Sequence, residues 1–123
     1  METSAVHLIL SAVEKKKFQM VWSPVHIKEI EATTNEIERA ELLYLIGKTQ
    51  SSSEANNLLT RNRAEFFVTQ GLGVADAAHL AYSESFKAEL ITCDDKFAKK
   101  SKTINPAIRV GNPVMFCEKE ELL

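Results

Sequence analysis

The chain has 123 residues, a formal net charge of −2, 45% hydrophobic residues and 26% charged residues. That length supports one domain with a buried core, and the near-neutral charge excludes a global basic field for nucleic acid while leaving room for a local one. No apolar run approaches the roughly 20 residues a membrane helix needs.

Cys93 and Cys117 are too few for a disulfide framework and lack zinc-site spacing. The first lysines follow the apolar part of METSAVHLILSAVEKKK, the reverse of a signal peptide, so a reduced, cytoplasmic setting is the expectation.

In chain order, Val6, Ile9, Leu10 and Val13 recur at helical spacing and predict a helix over 3–16. FQMVW at 18–22 predicts a short strand. Ser23-Pro24 supplies an N-cap and a first-turn proline, opening a helix to about Thr33. Asn35 with Glu38 opens the next helix, through Leu42, Leu43, Leu45 and Ile46, with Gly47 as its stop.

Ser51, Ser52 and Ser53 predict a loop, and a longer helix follows over roughly 53–70. Gly71 and Gly73 break the chain before an alanine-rich helix that starts at VADAAHL. Leu90 to Cys93 predicts a buried strand, 95–102 a short basic helix, and Asn105-Pro106 a turn. A last strand is expected at 108–110, with a continuation at 114–116, and a frayed tail from Glu118. Helices alternating with short apolar strands predict an α/β fold, one domain over 1–123, with a parallel sheet between helical layers.

Three acids draw attention, all at element ends or on an apolar stripe. Asp76 opens one helix and Asp94 ends a strand, and each position equally suits a helix cap or a ligand at a sheet edge. Asp95 stands next to Asp94 with the same two readings. Glu29 lies on a stripe with Val25, Ala32 and Trp22, where a carboxylate needs a metal or a cation such as Arg39, Arg61 or Arg63. An all-oxygen set of this kind suits Mg2+ or Mn2+ rather than Zn2+, and such sites commonly act on phosphate esters. Thr92 is placed to orient Asp94. His79 and Cys93 read as packing residues, and Lys96, Lys99, Lys100 and Lys102 as a solvated face.

VADAAHLAYSES followed by ELITCDDKF resembles the PIN-domain family of metal-dependent ribonucleases. The resemblance runs through Asp76, Ala77, His79, Leu80 and Ala81, then Thr92, Asp94 and Phe97, with MVWSPVHIKEIEA upstream and VGNPVMF at the end. It implies a three-layer α/β/α sandwich with a central parallel sheet. It also implies Mg2+ or Mn2+ held by Glu29, Asp76 and Asp94 with Asp95 as auxiliary ligand and Thr92 in support, and cleavage of single-stranded RNA. An antitoxin partner and a homodimer are further implications.

The family's opening strand, which ends in its first acidic ligand, has no counterpart in this sequence. Weakened cleavage, a strand-complemented assembly, or a non-catalytic PIN-like interaction module are the expectations that follow.

Overall fold

A computed structural model describes residues 2–49 and 57–123. The predicted loop at 51–53 and the start of the following helix lie outside these residues. Among the described residues there are helices α1 (Glu2–Glu14), α2 (Pro24–Glu31), α3 (Glu36–Thr49), α4 (Asn57–Thr69) and α5 (Val74–Phe86), then strand β1 (Leu90–Ile91). Helix α6 (Asp95–Ile104), strand β2 (Val110–Gly111) and helix α7 (Pro113–Lys119) complete the order. No helix of the described residues is long and apolar enough to cross a membrane.

The three-layer α/β/α sandwich with a central parallel sheet is not what this chain forms. The described residues are mostly helical, and the sheet among them is a two-stranded parallel pair with register Leu90–Val110 and Ile91–Gly111. Two local causes reduce the sheet. Among the described residues the FQMVW stretch makes no ladder hydrogen bonds with another strand, and an extended segment without a ladder is not a strand of a sheet. The expected strand at 114–116 is helical instead, because Asn112 and Pro113 form a helix start that overrides the β-propensity of the residues behind them. The Asn112 side chain accepts from the Met115 amide at 2.8 Å, and Pro113 occupies the first turn.

The same chemistry works where the sequence predicts it. Ser23 caps α2, with its hydroxyl accepting from the His26 amide at 3.4 Å while its own amide donates to His26 Nδ1 at 3.1 Å. Asn35 Oδ1 accepts from the Glu38 amide at 3.0 Å and starts α3. Gly47 does not stop that helix, which runs on to Thr49, where the Thr49 hydroxyl donates back to the Leu45 carbonyl at 2.7 Å. Gly71, at φ 106°, makes the turn between α4 and α5 that only a residue without Cβ adopts freely.

Two apolar clusters sit beside the small sheet. The first joins Phe67 of α4, Leu80 and Ala81 of α5, Phe97 and Ala98 of α6, and Val110 of β2. The second joins Ala5 and Ile9 of α1 to Phe116 and Cys117 of α7, with Phe18 and Ile91 packed against it. Val110 and Ile91 therefore serve different clusters. Within the second, the Cys117 thiol donates to the Ala5 carbonyl at 3.4 Å, and Phe18 meets Phe116 edge to face at 5.2 Å.

Candidate functional site

The second cluster leaves a cleft of about 560 Å3 between the 18–22 segment and the edge of β1. One wall is Phe18 to Trp22, leading into Ser23 and His26 at the start of α2. The other is the last turn of α5 with Leu90 and Ile91, and Ile9, Val13 and Phe116 close the apolar floor. This volume lies within the ordinary range of ligand sites, roughly 300–1,000 Å3. Met20 and Trp22 turn the same way, both meeting Thr49 of α3: the Trp22 indole donates to Thr49 Oγ1 at 3.0 Å, and the Thr49 hydroxyl reaches Met20 Sδ at 3.9 Å. Side chains two apart on one side are the signature of extended backbone.

At the α2 end of the cleft stand two stacked imidazoles. His26 and His79 have ring centroids 4.4 Å apart, and Trp22 abuts His26 edge-on at 5.8 Å. Because His26 Nδ1 accepts the Ser23 amide, its neutral ring carries the proton on Nε2. Burial pushes the His26 imidazole down, the His79 ring adds to this, and Glu29 opposes it, leaving a pKa of about 4 against the ordinary 6.5. His79 Nε2 meets Glu29 Oε1 at 2.5 Å, while His79 Nδ1 is buried without a hydrogen-bond partner among the described residues.

Glu29 is half exposed, so the sequence expectation of a carboxylate on a buried stripe does not describe it, and its partner is an imidazole rather than one of the arginines. Asp94 caps α6, its Oδ1 accepting from the Phe97 amide at 3.1 Å, and Thr92 Oγ1 accepts from the Asp94 amide at 3.0 Å. Asp76 lies in the first turn of α5, where a carboxylate favours the helix dipole, and Asp95 in the first turn of α6. Cys93, read as a buried packing residue, is exposed.

Among the described residues, no group of three or more His, Cys, Asp or Glu side chains lies close enough to hold a metal ion. Glu29, Asp76, Asp94 and Asp95 keep the all-oxygen chemistry that suits Mg2+ or Mn2+.

The sequence reading missed two features. One is the cleft itself, which forms only when 18–22 and β1 face each other. The other is the Arg63–Glu84 pair, two hydrogen bonds at 2.8 and 3.0 Å, with the Ala107 amide adding a third to Glu84 at 2.8 Å. Nothing in the spacing of residues 63, 84 and 107 announces that pair.

Compared with known proteins, the chain matches no family model, no curated protein and no solved structure.

Proposed function

We propose that this chain is a non-catalytic interaction module that binds a polypeptide partner in the cleft between 18–22 and β1. The observation that supports this is the cleft's build. It has an apolar floor from α1 and α7, two walls of half-buried chain, and enough volume for several side chains. Partner binding there would cover apolar surface that the two-stranded sheet leaves open.

The test is quantitative partner binding by the intact chain and by Val21→Arg, which places a charge on the cleft wall. The expected result is at least a tenfold loss of affinity with an unchanged circular-dichroism spectrum. A chain that binds no partner, or a variant that binds as well as the parent, overturns the reading.

A second reading is Mg2+- or Mn2+-dependent cleavage of single-stranded RNA, as the family resemblance implies. One observation favours it: Asp76, Asp94 and Asp95 have no cationic partner among the described residues, so their charge is available to a cation. The expected outcome is weak cleavage with Mn2+ that EDTA and Asp76→Asn each abolish. Cleavage that survives EDTA, or an unaffected Asp76→Asn, refutes it.

A further inference from the structure

The geometry points to one occupant for the cleft, an extended strand contributed by a separate polypeptide chain; this rests on the interaction-module reading above.

The backbone defines the requirement. In β1 the Leu90 amide donates to the Arg109 carbonyl and the Thr92 amide to the Gly111 carbonyl, both at 2.9 Å, so these residues face β2. Successive residues of a strand turn their amide and carbonyl to opposite edges, which sends those of Ile91 away from β2 toward the free edge. Ile91 lines the cleft.

Across the cleft, no backbone amide or carbonyl of residues 18–22 has a hydrogen-bond partner among the described residues. Two walls thus present unpaired peptide groups above an apolar floor. Peptide groups without a protein partner are met by water or by another chain, and a wall of them beside Ile9, Val13 and Phe116 suits a chain that brings both backbone groups and apolar side chains.

A strand answers both walls at once. Its amides and carbonyls alternate between its two edges, and its side chains alternate above and below, one set entering the apolar floor. A helix spends its backbone groups internally and cannot do this.

The wall of five residues sets the length, about 16 Å at roughly 3.3 Å per residue. The occupant is therefore four or five residues long with small or β-branched apolar side chains at alternate positions. A second copy is a poor donor, because among the described residues its two strands, β1 and β2, are already paired with each other.

The experiment leaves the protein unaltered and changes the ligand. Acetylated seven-residue peptides are prepared with valine, isoleucine or leucine at alternate positions, threonine between them and lysine at both ends. Each is paired with an analogue N-methylated at alternate residues. Affinity is titrated, and amide exchange at Ile91 is followed by NMR.

The expected result is binding by at least one parent peptide, a tenfold or greater slowing of Ile91 exchange, and a tenfold or greater loss of affinity on N-methylation. Equal binding by the methylated analogue, or an Ile91 amide that does not respond, overturns the strand. Ile91 protection that rises with protein concentration in the absence of peptide assigns the cleft to a second copy and also overturns it. If no peptide binds at millimolar concentration while Val21→Arg still weakens partner binding, the strand falls and the module reading stands. If Val21→Arg has no effect, both fall.

Discussion

His26 is the most constrained side chain of the cleft. It accepts from Ser23, stacks on His79 and abuts Trp22, and each contact suits a neutral ring. Its pKa is depressed in the folded state, so below pH 6.5 the unfolded chain binds the proton more readily than the folded one. The stability this group contributes is therefore complete above pH 6.5 and is lost as pH falls through about 4. The expected NMR titration midpoint of His26 is about 4, and thermal stability is expected to decline over the same window, with His26→Gln flattening that part of the decline. A midpoint near 6.5 would place the ring in water.

At the residue scale the cap positions were readable. Ser23, Asn35 and Asp94 act through short side chains on amides three residues ahead, and that relation is local in sequence. The pairing of Glu29 with His79 spans 50 residues and has no local signal.

Between elements, Glu84 of α5 joins Arg63 of α4 to the Ala107 amide before β2. Burial alone would push its carboxyl up, but the hydrogen bonds from Arg63 and Ala107 and the Arg63 charge outweigh it and hold the pKa below the ordinary carboxylate value. Arg63 also lies over the Phe66 and Phe67 rings at 5.1 and 4.6 Å, which fixes the guanidinium on the α4 surface. Glu84→Gln is expected to cost about 2 kcal/mol at pH 7, a usual size for hydrogen bonds to charged groups. The depressed pKa makes this contribution present above the ordinary carboxylate value and lost as pH falls below it. Urea unfolding of the parent and variant should therefore differ at pH 7 and converge in acid.

Helices were the legible elements, because apolar spacing and caps act within one or two turns. The 114–116 stretch shows where β-propensity misleads. Valine and phenylalanine argued for a strand, yet Asn112 and Pro113 carried the same start signal that was read correctly at Ser23 and Pro24. Gly47 shows the converse, since glycine ends a helix only when the chain must turn there, and α3 continues to Thr49.

At the scale of the whole molecule, the parallel pairing of β1 and β2 and the two apolar clusters set where the cleft lies. Ile91 faces the α1–α7 cluster while its amide and carbonyl face the cleft, and Phe18 holds the opposite wall against Phe116. Among the described residues the sheet has two strands, and 18–22 forms no backbone hydrogen bond to either.

By itself the sequence determined helices α1 to α6, the caps at Ser23, Asn35 and Asp94 and the position of the β1–α6 turn, since these depend on contacts a few residues apart. Only the tertiary structure decided the rest: that FQMVW makes no ladder with another described strand, and that Glu29 meets His79. Those outcomes depend on which distant segments become neighbours. A strand exists only when a second strand supplies its hydrogen bonds, and propensity in one segment carries no information about the other.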